Sequence, residues 1–435
     1  MVFYPHQKEG LERVKPLNRV AFYWDMGLGK TFVGAEKLIQ LGSHINLVVC
    51  QKSKIDDWIE HFKKYYEKEK PFCIITDLTK VKSEIMQHDF LKWCKSAEEH
   101  AFPHVYIINY DLIFRRPILK KLSNFTLLLD ESSLIQNETA KRSKFILSLK
   151  PDNIILLSGT PTGGKYERLW SQLHLLGWPI SKDMFYSHYI NYHWDDSEGF
   201  PIMIIDGYKN EDRLKQKMRR YGCMFLKTEE VFDLPSQNDI PQVIPVTTEY
   251  KKFRKNSLVE FKYGESEIEL IGATILTKFL YERQLCGQYN KKKLEAFESL
   301  LQSTSDRLIV FYNFTPEVNE LKKIAEKYEK PISIVNGDIK DLVAYEQCKD
   351  SVTFIQYQAG AMGLNLQKAN KIIYFTPPVS SELFEQSKKR IHRIGQNRPC
   401  FYYYLICKGS IEERIYATLA MRKNYTDRLF ENDIY

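Results

Sequence analysis

The sequence has no paired cysteines and no long apolar run. Its eight cysteines are scattered, without a Cys-x-x-Cys pair or a Cys/His cluster at metal-ligand spacing, which predicts a reducing compartment and argues against structural zinc. No apolar stretch approaches the roughly 18 residues that span a bilayer, and residues 1–10 lack the apolar core of a secretion signal. We therefore expect a soluble, intracellular, cytoplasmic protein without membrane contact.

The sequence also lacks the composition of a disordered chain. Hydrophobic residues make up 43% and charged residues 27% of its 435 residues, which is typical of a globular protein with two or three domains. The formal net charge of +8 fits a polyanionic partner. A balance this modest is also common in proteins that bind no nucleic acid.

A glycine-rich segment at residues 24–31 follows a short apolar stretch and precedes a helix-like one. Backbone N–H groups and the helix dipole converge on such a turn and cradle phosphate. The predicted nucleotide-binding residues of this loop are Met26, Gly27, Leu28, Gly29, Lys30 and Thr31. In this interpretation Lys30 reaches the β- and γ-phosphates of ATP, and the Thr31 hydroxyl is a ligand of Mg²⁺. Trp24 stands where the strict pattern has glycine, so the match is to the looser helicase form, and an ordinary glycine-rich turn is the alternative.

About 100 residues after the glycine-rich loop, two carboxylates follow an apolar stretch that is predicted to be a strand. Asp130 would hold Mg²⁺, and Glu131 would polarise the attacking water of an NTPase. In isolation such a pair is more often a solvated turn, but its spacing from the glycine-rich loop favours the catalytic interpretation.

Apolar strands alternate with amphipathic helices in both halves of the chain. This pattern predicts an α/β fold with two lobes, each a mainly parallel sheet flanked by helices, with small helical insertions. Residues 179–245 show no clear period, and residues 233–241 have the composition of a linker. We predict a first lobe at residues 1–232, a linker and short helical insertion at 233–290, and a second lobe at 291–435.

A basic segment in the second lobe contains Arg390 and Arg393, whose spacing places them on one face of a predicted helix. Guanidinium groups presented across an interlobe cleft would act as arginine fingers on developing phosphate charge. The alternative is a solvated basic helix.

The ordered motifs resemble those of the Swi/Snf-type branch of superfamily 2 helicase-like ATPases. The resemblance covers nearly the whole chain and rests on residues 25–31, 130–131, 157–161, 363–366 and 390–396. It implies two RecA-like lobes with ATP and Mg²⁺ at their interface and a DNA duplex held across both. It also implies further nucleotide contacts at Gln7, Gly363, Asn365 and Gln396. The motif-borne polar residues predicted to contact nucleic acid are Lys52, Asn109, Asn313 and Thr315.

Two residues depart from the family pattern. Ser133 stands where the family usually has His, which predicts that coupling between the ATP site and the neighbouring motif is weaker or passes through Ser133. Gln358 stands where many members have Arg, so one charged contact is in question. The short inserts favour a minimal bacterial or viral motor over a chromatin remodeller.

The predicted function is an ATP-dependent double-stranded-DNA translocase, a monomeric DNA-stimulated ATPase serving DNA repair, recombination or replication. Two alternatives stay open: a strand-separating helicase on DNA or RNA, and a DNA-binding scaffold that retains ATP as a structural ligand. The sequence identifies no protein partner such as a nuclease or a replication factor.

Overall fold

The computed structural model describes residues 2–66, 73–99, 102–196, 201–360 and 364–430. The chain forms two compact units. The first consists of Met1–Val231 together with Asn424–Tyr435, and the second of Phe232–Lys423. Among the described residues, no helix is both long and apolar enough to cross a membrane.

The first unit contains nine strands and nine α-helices in its described residues up to Val231. In chain order they are α1 (Pro5–Val14), β1 (Arg19–Trp24), α2 (Lys30–Gln40), β2 (Ile45–Cys50), α3 (Ile55–Tyr66), β3 (Ile74–Asp77), α4 (Ser83–Glu99), β4 (His104–Asn109), α5 (Tyr110–Ile113), β5 (Phe125–Asp130), α6 (Lys141–Leu147), β6 (Asn153–Ser158), α7 (Trp170–Leu175), α8 (Lys182–Tyr189), β7 (Ile190–Asp195), β8 (Ile202–Tyr208), α9 (Glu211–Arg220) and β9 (Cys223–Leu226).

Seven of these strands form one sheet in the order β3-β4-β2-β5-β6-β1-β9, and each neighbouring pair is parallel. Every residue of β2 is buried, because a parallel sheet covered on both faces needs apolar side chains in both directions. Strands β7 and β8 form a separate antiparallel hairpin.

The second unit continues the numbering. Its elements are β10 (Gln237–Ile244), α10 (Thr248–Asn256), β11 (Leu258–Tyr263), β12 (Ser266–Ile271), α11 (Ile275–Cys286), α12 (Lys291–Gln302), β13 (Leu308–Tyr312), α13 (Thr315–Lys327), β14 (Ile332–Val335), β15 (Lys340–Asp341), α14 (Val343–Gln347), β16 (Val352–Gln356), α15 (Tyr357–Gly360), β17 (Lys371–Tyr374), α16 (Ser381–Lys388), β18 (Cys400–Cys407) and α17 (Ile411–Phe430). The last residues of α17, from Asn424, belong to the first unit.

The sheet of the second unit has the order β10-β18-β17-β13-β16-β14-β15. Its strands run parallel except for the short β15, which pairs antiparallel with β14. The prediction of two α/β lobes on mainly parallel sheets is therefore confirmed.

The expected linker at residues 233–241 is wrong. Residues Gln237 to Ile244 form β10, which pairs with β18 along its whole length. As an edge strand, β10 alternates exposed and half-buried residues and so has no apolar run, and an edge position also tolerates Pro241. Residues 233–290 thus lie within the second unit instead of forming a separate segment.

A buried ion pair joins α12 to α17 in the second unit. Lys293 Nζ lies 2.6 Å from Glu412 Oε1, and the two side chains are 0% and 1% exposed. The second carboxylate oxygen of Glu412 accepts a hydrogen bond from the Cys407 amide at 2.9 Å. Removal of one partner from such a pair leaves a buried charge that water does not solvate.

We predict that Lys293→Met lowers the free energy of unfolding by about 3–5 kcal/mol. The double variant Lys293→Met/Glu412→Gln should recover most of that loss, because no charge stays buried and the glutamine oxygen still accepts from Cys407. Urea unfolding followed by circular dichroism measures both values. Equal stability of Lys293→Met and the parent would contradict a structural role for the pair.

Candidate functional site

The predicted catalytic motifs of the first unit end at one edge of its sheet. The glycine-rich loop follows β1, Asp130 ends β5, and residues 159–161 follow β6, which ends at Ser158 and lies between β1 and β5. Because all three strands run parallel, their carboxyl ends meet at the same edge, which is where open α/β sheets bind ligands. The fold thus brings together residues that lie up to 130 positions apart.

The glycine-rich loop is shaped by two left-handed glycines. Gly27 has a φ of 88° and Gly29 a φ of 78°, a conformation that residues with a Cβ rarely adopt. Lys30 Nζ donates to the carbonyl oxygens of Trp24 at 2.8 Å and Asp25 at 3.1 Å. A Cβ on Gly159 would lie 3.4 Å from Lys30 Nζ, so glycine there leaves the space beside the ammonium open.

Helix α1 supports the loop from behind. Gln7 Nε2 donates to the Leu28 carbonyl at 3.2 Å, and His6 Nε2 lies 3.1 Å from the same oxygen. Gln7 Oε1 accepts from the Tyr4 amide at 3.0 Å. A Cβ on Gly29 would approach Gln7 Nε2 to 2.1 Å. The structure thus places Gln7 in a supporting position under the loop, with its amide bonded to backbone, whereas the sequence predicts a direct nucleotide contact.

Asp130 and Glu131 lie where β5 ends. Asp130 Oδ2 accepts from Trp58 Nε1 at 2.9 Å, and the Tyr110 hydroxyl donates to the Asp130 carbonyl at 2.8 Å. Burial raises the pKa of Asp130, while the Trp58 indole and the Lys30 ammonium oppose the rise. Glu131 has a φ of 53°, a strained conformation for a residue with a side chain, of the kind that collects at functional sites.

The oxygen donors in this cluster fit Mg²⁺ and a phosphate chain. Magnesium prefers carboxylate and hydroxyl oxygens together with phosphate oxygens of the substrate. Asp130 is the carboxylate, and Thr31 supplies a hydroxyl in the first turn of α2. Lys30 is close enough to Asp130 to affect its pKa, so cation and carboxylate share one site. ATP with Mg²⁺ is thus compatible with these residues.

A buried relay joins the carboxylate motif to the loop after β6. Ser132 Oγ donates to Gln172 Oε1 at 2.7 Å, and Gln172 Nε2 donates to the Pro161 carbonyl at 2.8 Å. The Tyr23 hydroxyl donates to the same Gln172 oxygen at 3.0 Å. The hydrogen bonds pass through Ser132, and the expectation that coupling is weaker or passes through Ser133 stays a prediction. Gln172 was not predicted from the sequence. A glutamine among the apolar residues of α7 is the feature that could have indicated a buried polar contact there.

Comparison with known families assigns the chain to a family. Residues 13–291 match the SNF2-related domain, and residues 292–395 match the helicase conserved C-terminal domain. The chain belongs to the SNF2-related family. This confirms the resemblance on which the sequence analysis rests.

Curated relatives in the SNF2-related family are longer than this chain. A SWI/SNF-related regulator of chromatin, subfamily A member 1, from Mus musculus is 22% identical over 90% of this chain and 39% of its own length. The ATP-dependent DNA helicase DDM1 of Arabidopsis thaliana is 23% identical over 90% of this chain and 56% of its own length. The chain thus spans about 39–56% of these relatives. A solved structure, the Sulfolobus solfataricus SWI2/SNF2 ATPase core with dsDNA, aligns over 98% of this chain and 92% of its own, at 20% identity and a TM-score of 0.45.

The segment around Arg390 and Arg393, within the match to the helicase conserved C-terminal domain, is not helical. Helix α16 ends at Lys388, so the expectation of two arginines on one helical face is wrong. The chain turns there instead, with His392 Nε2 2.9 Å from the Pro235 carbonyl and Gly395 at a φ of 95°. Arg390 is buried, and burial lowers the pKa of Arg393.

The other residues of the second unit that were predicted to contact the nucleotide differ in their surroundings. Asn365 is exposed, and the next amide, that of Leu366, donates to the Arg390 carbonyl at 3.2 Å, so the two motifs adjoin. Gln396 donates to the carbonyl oxygens of Gln367, Ala369 and Ile391, a placement that fits support of the turn better than contact with a nucleotide. Gly363 lies outside the described residues.

Two of the four residues predicted to contact nucleic acid make hydrogen bonds within the chain, and their contact with nucleic acid stays a prediction. Asn109 Oδ1 accepts from the Leu112 amide and caps α5. Asn313 Nδ2 donates to Thr376 and Pro377, and the Asn313 amide donates to buried Glu317, whose pKa burial raises to about 7. Lys52 and Thr315 are exposed, and their contact with nucleic acid stays a prediction.

We predict that Gln172→Leu lowers the free energy of unfolding by about 3 kcal/mol or more. The change leaves two hydroxyls and one carbonyl buried without their partner, and each costs about 1–3 kcal/mol. Gln40→Leu on α2, where the side chain is exposed, is the matched control and should stay within about 0.5 kcal/mol of the parent. Denaturant titration compares the two. A Gln172→Leu protein as stable as Gln40→Leu would show that the relay contributes nothing to stability.

Proposed function

We propose that the protein is an ATP-dependent translocase on double-stranded DNA, with an ATPase activity that the duplex stimulates. The observation that carries this proposal is the shared position of Lys30, Asp130 and Glu131 at one edge of a parallel sheet, in a chain of the SNF2-related family. The relative named as an ATP-dependent DNA helicase supports nucleotide use. We place the motor in DNA repair, recombination or replication.

The residues of the first unit have distinct roles in this proposal. ATP with Mg²⁺, when bound, supplies the phosphoanhydride bond whose hydrolysis drives the motor. Lys30, which donates to two loop carbonyls, would donate to phosphate oxygens of bound ATP, and Thr31 and Asp130 would hold the metal. Glu131 orients the attacking water and accepts its proton. The Trp58 indole and the Tyr110 hydroxyl keep this carboxylate segment in place.

Arg390 and Arg393 would stabilise the charge that develops on the transferred phosphoryl group. Guanidinium groups suit this role because they keep their charge under all physiological conditions and present several donors in one plane. The turn that carries them is fixed by Gln396 and by the bond from Leu366 to the Arg390 carbonyl. A positioned arginine loses little entropy when it engages phosphate.

Contact with DNA is proposed to be with the sugar-phosphate backbone. The net charge of +8 favours a polyanion, and the exposed Lys52 and Thr315 offer a cation and a hydroxyl of the kind that bind phosphate oxygens. Such contacts carry no base information, so one motor can move along any sequence.

ATP turnover measured with no nucleic acid, single-stranded DNA, duplex DNA and RNA tests the proposal. We expect duplex DNA to stimulate hydrolysis most. Glu131→Gln should bind ATP at near the parent affinity and lose turnover, because the amide keeps the shape and loses the base. The control is Glu138→Gln, a carboxylate bound to Lys182 outside the site. Turnover in Glu131→Gln equal to this control, or stimulation by RNA alone, would contradict the proposal.

A further inference from the structure

Helix α16 ends on a buried lysine that is paired within the second unit. The Lys388 side chain is 9% exposed, and its Nζ lies 2.9 Å from Asp239 Oδ1 on β10. The same ammonium lies over the rings of Tyr402 and Tyr404 on β18, 4.9 Å and 5.6 Å from their centroids. A buried ammonium is costly unless it is paired, so these partners fix the position of the charge where α16 ends.

Asp239 is held in its ionised form by the same group of residues. The Tyr404 hydroxyl donates to Asp239 Oδ1 at 2.6 Å. Partial burial raises the pKa of Asp239, but the Lys388 ammonium and the Tyr404 hydroxyl outweigh this effect and lower the pKa below its usual value. The carboxylate is therefore charged at neutral pH, where it pairs with the lysine.

The backbone of Lys388 is anchored to β18 as well. The Tyr402 hydroxyl donates to the Lys388 carbonyl at 3.1 Å, and the His392 amide donates to that oxygen at 3.5 Å. His392 Nε2 in turn lies 2.9 Å from the carbonyl of Pro235, which precedes β10. The turn that carries the two arginines begins after Lys388, so it is tied to the β10 end of the sheet at its first residue and again at its middle.

We propose that the ion pair of Lys388 and Asp239 positions Arg390 and Arg393 for hydrolysis, so that its loss slows turnover without weakening ATP binding. This inference rests on the proposed function, in which the arginines stabilise the transferred phosphoryl group. Lys388 and Asp239 are positioning residues, since they act through the turn and contact no reacting atom. Misplacement of a catalytic group by about 1 Å can lower a rate on the order of 10²-fold.

Steady-state ATP turnover with duplex DNA, measured over a range of ATP concentrations, tests this inference. We expect Lys388→Met to lower kcat on the order of 10²-fold and to leave the KM for ATP unchanged. Asp239→Asn should lower kcat in the same way. Its amide oxygen still accepts from the Tyr404 hydroxyl, so this milder variant tests the ion pair if Lys388→Met does not fold.

A second ion pair of the second unit supplies the matched control. Lys330 Nζ lies 2.5 Å from Asp350 Oδ1, and the two side chains are 13% and 46% exposed, compared with 9% and 56% for Lys388 and Asp239. Lys330 and Asp350 lie beside β14 and β16, toward the opposite edge of the sheet from β10. Lys330→Met should therefore turn over ATP as the parent does. Urea unfolding of each variant shows which of them are folded in the assay.

The variant Arg393→Ala separates this inference from the proposed function. Because Lys388 acts through the arginine turn, the loss of kcat in the double variant Lys388→Met/Arg393→Ala should be smaller than the product of the two single losses. The inference is overturned if Lys388→Met and Asp239→Asn keep the kcat of Lys330→Met, if they raise KM in place of lowering kcat, or if the two single losses multiply. Full turnover in Arg393→Ala would contradict the proposed function, and this inference with it.

Discussion

Parallel pairing of β5, β6 and β1 is the constraint on which the candidate site depends. It brings the carboxyl ends of three strands to one edge, so that Lys30, Asp130 and Gly159 become neighbours although they are far apart in sequence. Antiparallel pairing would send one of these groups to the opposite edge. The buried apolar side chains of the strands maintain the pairing, and the chemistry of the site depends on that core.

Hydrogen bonds from buried side chains next to this edge of the sheet hold the glycine-rich loop and the carboxylate segment in place. Helix α1 holds the glycine-rich loop through the Leu28 carbonyl, and Gln172 links Ser132 to the loop after β6. Each of these side chains is buried, where an unpaired polar group is costly, so the alternative arrangements are disfavoured. Glu131 is held in a left-handed conformation directly before Ser132. The relay therefore supports the residue that the proposed mechanism needs most.

The sequence predicts the sheets of both units well, because central parallel strands are continuous apolar runs. Prediction from sequence fails for segments whose conformation depends on a contact with a distant part of the chain. Strand β10 is half-exposed and contains Pro241, so it has the composition of a linker until β18 is known to pair with it. Residues after Lys388 have a helix-compatible composition, and a contact from His392 to the Pro235 carbonyl accompanies the turn there. The hydrogen bonds of Asn109 to the Leu112 amide and of Asn313 to Thr376 and Pro377 were also not predicted, because sequence does not show which partner a polar side chain meets in the fold.

Arg393 tests most directly whether the second unit takes part in hydrolysis. Comparison of ATP binding and duplex-stimulated turnover in Arg393→Ala and Arg398→Ala is the measurement, since Arg398 is an exposed arginine paired with Asp306. We expect nearly normal ATP binding in Arg393→Ala and a loss of turnover on the order of 10³-fold, with Arg398→Ala close to the parent. Equal turnover in the two variants would contradict a role of Arg393 in hydrolysis, because the first unit would then hydrolyse ATP without this arginine.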